Sequence, residues 1–247
     1  MLSKSQVKYI QSLYQKKFRD EESKFLVEGP KIVTECCRQA ASEVESIYAL
    51  EGWIEAERDL LKNIAEDRVF PIEKSELEKI SALTTPNQVL AVMRKSIPQI
   101  PKFNKTLTLL LDTIQDPGNL GTMVRIADWF GLKQIVCSRD STEIYNPKVI
   151  QSSMGSFLRV ACFYEDLDEF LNRHSEIPLY ATALTGRNIH EMDSLNEGFI
   201  LIGNESKGLK KEWLERAREK ITIPRLGEAE SLNAAVATGI ILYQLTK

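Results

Sequence analysis

From Thr106 onward the chain alternates short, strongly apolar runs with amphipathic helix-forming stretches, and this rhythm limits the possible folds more than any other feature. The runs Leu107–Asp112, Gln134–Ser138, Arg159–Phe163, Leu179–Ala183, Phe199–Gly203 and Ile221–Pro224 predict strands. Their near-continuous hydrophobicity is that of parallel strands buried on both faces. Between them the spacing predicts helices over about 119–130, 147–156, 166–174 and 209–219, and a last one from 231 to the end. Strands alternating with helices imply an α/β fold with a parallel sheet.

Residues 1–97 carry a second, smaller α/β pattern. A helix is predicted near 4–16, a strand at Phe25–Glu28 and a helix from Pro30, where proline suits a first helical turn. Strand-like runs at Ser46–Leu50, Val69–Ile72 and Val89–Met93 are separated by charged stretches around 53–65 and 73–82. Pro98 and Pro101 then discourage both helix and sheet ladder, which makes 98–105 a linker between a domain at 1–97 and another at 106–247.

With 43% hydrophobic and 27% charged residues the chain resembles an ordinary soluble globular protein. Its start is polar, and no stretch reaches the roughly 18 apolar residues of a membrane span, so a cytoplasmic protein is expected. Cys36, Cys37, Cys137 and Cys162 form no CxxC pair, and His174 and His190 lack metal-ligand spacing to them, so reduced thiols and no metal are expected. No GxGxxG follows an early strand, which removes a dinucleotide-dependent oxidoreductase. A net charge of −3 argues mildly against nucleic acid. The first residues are nevertheless locally basic, with Lys8, Lys16, Lys17 and Arg19 as candidate phosphate contacts; a solvated helix face would read the same.

Three segments carry candidate chemistry. In the first, the strand ending at Asp112 runs through Thr113-Ile114-Gln115-Asp116-Pro117-Gly118-Asn119-Leu120-Gly121 into a helix, and such a helix start favours anions. At about 100° per residue, Leu120, Met123, Val124, Ala127 and Gly131 share a packing stripe from which Arg125 projects away. In the second, the strand ending at Ile202 stops on the loop Gly203-Asn204-Glu205-Ser206-Lys207-Gly208, at the strand end where ligands of open α/β sheets bind. In the third, Ile223-Pro224 leads through a polar loop to Ser231-Leu232-Asn233 and an Ala- and Gly-lined helix, with Ser231 suited to cap it and Asn233 able to satisfy open backbone groups near its start.

Together and in this order, Asn119-x-Gly121-x-x-x-Arg125, Gly203 to Gly208 and Ile223-Pro224 to Asn233 resemble the signature motifs of the SpoU (TrmH) family of RNA 2′-O-ribose methyltransferases. Residues 1–97 are similar to the small L30e-like substrate-binding domain often found in that family. The resemblance implies a SPOUT-type parallel sheet with a C-terminal deep trefoil knot, a homodimer formed through the C-terminal domain, and S-adenosylmethionine held by Thr182, Leu184, Gly186, Gly203, Asn204, Ile223 and Leu232. It implies catalytic roles for Asn119, Arg125, Glu205, Ser231 and Asn233 on structured RNA. Ribosomal RNA is the first expectation; transfer RNA, and a non-catalytic RNA-binding protein of this fold, are the alternatives. Two positions depart from the family pattern: Arg225 stands where an apolar residue is usual, and Ala234-Ala235 where Val-Ser is common. A guanidinium is effectively always charged, so Arg125 is expected to clamp phosphate and developing alkoxide rather than to act as a free base.

Overall fold

The computed structural model describes residues 1–97, 101–204 and 208–246. The chain forms two compact units, residues 1–97 with 145–158, and residues 98–144 with 159–247.

The first unit contains α1 (Lys4–Ser12), α2 (Lys16–Glu22), β1 (Lys24–Glu28), α3 (Pro30–Gln39), β2 (Val44–Ala49), α4 (Glu51–Ala56), α5 (Arg58–Leu61), β3 (Val69–Pro71), α6 (Lys74–Ile80) and β4 (Val89–Arg94). Its strands form a sheet in the order β1-β4-β2-β3, antiparallel except for the β2–β3 pair. Alternation along the strands builds a core on each face. Phe25, Val27, Ile47, Ala49, Ala91 and Met93 join α3 residues such as Val33 and Cys36 on one side, whereas Leu26, Tyr48, Leu90 and Val92 meet Ile10, Leu77 and Ile80 on the other. The single helix expected near 4–16 is two helices, because Leu13 caps α1 and Arg19 of α2 turns inward.

The second unit contains β5 (Leu107–Leu111), α7 (Pro117–Trp129) and β6 (Gln134–Ser138). Residues 145–158, with α8 (Pro147–Ser153), then belong to the first unit, where Ile150 joins the α3-side core and Phe25 stacks near Tyr145 with centroids 4.5 Å apart. The second unit resumes with β7 (Ala161–Glu165), α9 (Leu167–Arg173), β8 (Leu179–Asn188), β9 (Gly198–Ile202), α10 (Lys211–Arg216), β10 (Glu219–Thr222) and α11 (Ala234–Leu245). Its six strands are all parallel in the order β10-β8-β9-β5-β6-β7. Leu110, Val136, Phe199 and Leu201 point to one core with Phe170 of α9 and Trp213 of α10. Leu109, Leu111, Ile200 and Ile202 are buried on the opposite face, and α7 packs against α11.

One pairing departs from a regular ladder. Glu219 and Lys220 of β10 lie opposite Tyr180 and Ala181 of β8, but the next residues, Ile221 and Thr222, lie opposite Arg187 and Asn188. Residues 182–186 are therefore excluded from the β10 ladder, and the strand predicted to end at Ala183 continues to Asn188. Gly186 permits the close approach, because a Cβ there would sit on the Lys220 carbonyl. Gly186→Ala is expected to lower the thermal stability of this unit by about 1–3 kcal/mol, as overpacking does. Gly52→Ala, on α4 where an added Cβ meets nothing within 4 Å, is expected to raise that of the first unit by about 0.4–1 kcal/mol. Calorimetry of both variants checks the pair.

Candidate active site

A parallel sheet opens the carboxyl ends of all its strands on one edge, and the turn after β5 meets the residues that follow β9 there. The Asp112 amide donates to the Ile202 carbonyl at 2.9 Å, which ties the turn after β5 to the end of β9. Beyond that point Asn204 donates from Nδ2 to the Thr113 carbonyl at 2.9 Å. The Gly208 amide donates to the Asn204 carbonyl, also at 2.9 Å. Thr182 Oγ1 donates to the Leu201 carbonyl at 3.0 Å, and Thr222 Oγ1 to the Leu184 carbonyl at 3.1 Å. Thus the excluded segment 182–186 stands between the ends of β9 and β10, with Ile223 immediately after Thr222.

Two helix starts meet at the same place. Asp116 caps α7 by accepting the Asn119 amide at 2.9 Å, and Pro117 occupies the first turn. Asn233 caps α11, its Oδ1 accepting from Ala235 and Val236 at 3.0 and 3.2 Å. Its Nδ2 donates to Asn119 Oδ1 at 2.9 Å. One amide therefore caps one helix and fastens it to the start of another. The free N–H groups and dipoles of two helix starts together favour an anion.

The cap that Ser231 was expected to provide belongs to Asn233, since α11 starts at Ala234; Ser231 itself is exposed. Asn119 is joined to Asn233. Arg125 is exposed on α7, away from the buried Leu120, Met123, Val124 and Ala127, and has no hydrogen bond or ion pair to another described residue. Gly203 and Ile223 are half-buried, whereas Leu184, at 78% exposed, and Leu232 are open. Glu205 lies outside the described residues. Arg225 reaches back to the Ala229 carbonyl of its own loop at 3.3 Å. In the first unit Lys8, Lys16 and Lys17 are exposed, the last two beside Asp20 and Glu21. Arg19 differs: it is 2% exposed and donates to the Leu13 and Tyr14 carbonyls at 2.9 and 2.8 Å. Its guanidinium braces α1 against α2 and is removed from the phosphate-contact candidates.

A cleft of about 540 Å³ adjoins the turn after β5, lined by Asp112, Thr113, Ser138, Asp168, Asn204 and Lys210 among others. Burial raises the Asp112 carboxyl above its ordinary pKa, against the pull of the Thr113 hydroxyl and Lys210. Asp168 is lowered by its bond to Lys210 at 2.7 Å and by the Trp213 indole N–H. Sequence reasoning placed Thr113 in the first segment but passed over Ser138 and Ser141, which take the Thr113 and Ile114 amides at this turn; a β-branched residue in a left-handed turn leaves no mark in a sequence.

The SpoU rRNA Methylase family matches residues 106–243, and the MRM3-like substrate binding domain matches residues 4–91. The chain belongs to the SpoU family. A 23S rRNA (guanosine(2553)-2′-O)-methyltransferase of Bacillus subtilis (strain 168) is 31% identical over 97% of this chain and 95% of its own length. Among solved structures, a TrmH-family protein of Porphyromonas gingivalis is 33% identical, with a TM-score of 0.86 over 99% of this chain and 98% of the other. An AdoMet-bound rRNA methyltransferase from Sinorhizobium meliloti is 26% identical, with a TM-score of 0.83 over 99% of this chain and 95% of the other. The motif residues Asn119 and Asn233 of this SpoU chain are thus in direct contact, which their separation in sequence does not reveal.

The two duties of Asn233 separate by substitution. Asn233→Ser keeps a good helix cap but is too short to reach Asn119, and is expected to melt within about 0.5 kcal/mol of the parent. Asn233→Ala loses the cap as well and is expected to lose about 1 kcal/mol. Thermal denaturation of the two variants side by side tests this.

Proposed function

We propose that this SpoU-family enzyme transfers a methyl group from S-adenosylmethionine to a ribose 2′-hydroxyl of ribosomal RNA. The observation that carries the reading is the Asn119–Asn233 bond beside the Gly203–Asn204 loop, which brings all three motif segments to one edge of the parallel sheet. The donor set fits the cofactor. Backbone groups of the 182–186 segment, Gly203 and the loop after Ile223 suit an adenosine's hydrogen-bonding edge, and the open Leu184 and Leu232 side chains suit its apolar faces. Thr182, Leu184, Gly186, Gly203, Asn204, Ile223 and Leu232 would hold it.

S-adenosylmethionine supplies a methyl group already activated on a sulfonium. The protein must then place a ribose oxygen in line with it, and positioning of this kind is worth up to roughly 7–11 kcal/mol. In this reading Arg125 grips the phosphate beside the target ribose and stabilises the developing alkoxide, as a permanently charged fork can. Asn233 orients Asn119 toward the ribose, and Ser231 and Glu205 complete the site. The trefoil knot belongs to the same proposal, supported by the passage of β10 against Gly186.

The first unit reads RNA shape, with Lys8, Lys16 and Lys17 on phosphates; its match to a substrate binding domain supports this. Only RNA offers the 2′-hydroxyl. A homodimer through the second unit is supported by an apolar stripe on α11, Val236, Ile240 and Tyr243, with Trp129 of α7 83% exposed. Among the described residues no cluster of His, Cys, Asp and Glu is set to hold a metal, and no helix is long and apolar enough to cross a membrane. The likeness to a bacterial 23S rRNA methyltransferase supports a cytoplasmic location.

Mapping 2′-O-methyl sites in total RNA with and without the protein tests the reaction, and a missing site in transfer RNA rather than ribosomal RNA would redirect the substrate. Arg125→Lys is expected to lower turnover on the order of 100-fold with RNA binding retained; near-normal turnover would sink the clamp. Ile240→Glu is expected to sediment as a monomer at concentrations where the parent is a dimer.

A further inference from the structure

The turn after β5 holds Thr113 at a φ of 55°. For a β-branched residue this is a rare conformation, and it persists only where the surroundings over-determine it. Here two hydroxyls do so. The consecutive amides of Thr113 and Ile114 donate to Ser138 Oγ at 2.7 Å and Ser141 Oγ at 3.0 Å, and the two hydroxyls are 3.0 Å from each other. The Ile114 carbonyl accepts from the Thr142 amide at 2.9 Å, and Thr113 Oγ1 donates to Asp112 at 2.8 Å. Ser138 is buried at the end of β6 and Ser141 follows in the same loop. Held this way, Thr113 presents its carbonyl to the Asn204 side chain, while the Asn204 carbonyl accepts from the Gly208 amide.

We propose that Ser138 and Ser141 are positioning residues for methyl transfer. They lie outside the three motif segments and act through Thr113, whose carbonyl fixes Asn204 just beyond the end of β9. This rests on the function proposed above. In-line transfer tolerates little displacement, since about 1 Å costs on the order of 100-fold in rate. Releasing the turn lets Asn204 drift, and turnover falls while RNA, read elsewhere, binds as before.

The test uses the full chain with Ser138→Ala, Ser141→Ala and the double variant Ser138→Ala with Thr113→Gly. Glycine takes positive φ without strain and needs no hydroxyl to hold it. Ser138→Ala is expected to lower kcat roughly 10- to 100-fold with the KM for RNA unchanged. It should also speed hydrogen exchange at the Thr113 and Ile114 amides in protein alone. The added Thr113→Gly is expected to recover most of the lost turnover, a rescue that general destabilisation does not produce. A wild-type kcat in Ser138→Ala, or a fall that Thr113→Gly leaves in place, overturns the proposal. If Ser138→Ala does not fold, Ser141→Ala, which removes only the Ile114 acceptor, decides by the same two measurements. A parent that transfers no methyl defeats the proposed function, and amide exchange then still decides whether the hydroxyls hold the turn.

Discussion

The hydrogen bond from the Asn233 side-chain amide to Asn119 Oδ1 is the contact on which the rest of the candidate site depends. It needs two helix starts at the same edge of one sheet, and a parallel sheet supplies them because every strand delivers its carboxyl end to that edge. The chain runs outward from β5 through β6 to β7, then returns on the other side through β8, β9 and β10. The loops after β5 and β9 therefore lie side by side. Asn233 adds the second requirement: its Oδ1 caps α11 while its Nδ2 reaches Asn119, so one side chain serves both the helix and the placement of a site residue.

Beside this junction the chain accepts unusual backbone. Thr113 in the left-handed region and the segment 182–186 set aside from the β10 ladder are both irregular, the first held by side-chain hydroxyls and the second permitted by the absence of a side chain. At Thr113 the hydroxyls of Ser138 and Ser141 take the turned amides; at Gly186 only a missing Cβ lets the Lys220 backbone pass. Local strain of this kind is kept where geometry matters and is supported by neighbours that are themselves buried. Ser138, Leu111 and Ile202 provide that rigid support.

The first unit follows a simpler rule. Period-two alternation divides each strand between two apolar layers, and both layers are filled by helices whose spacing already shows in the sequence. Arg19 illustrates where charge alone misleads. In the sequence it is one of several cations near the start, yet in the fold it braces two helix ends from inside, with carbonyls as its partners. A basic stretch says nothing about which of its members face water.

The sequence by itself determined the α/β class, the parallel character of the second sheet and the three loops at strand ends, because hydrophobic period and turn chemistry are local properties; the motif residues were picked out by their resemblance to a family. Only the tertiary structure decided that residues 145–158 join the first unit, that Asn233 and not Ser231 caps α11, that Asn119 pairs with Asn233, and that β8 runs on to Asn188. Each of these depends on which distant atoms compete for the same space or the same hydrogen bond. No periodicity along the chain encodes that competition.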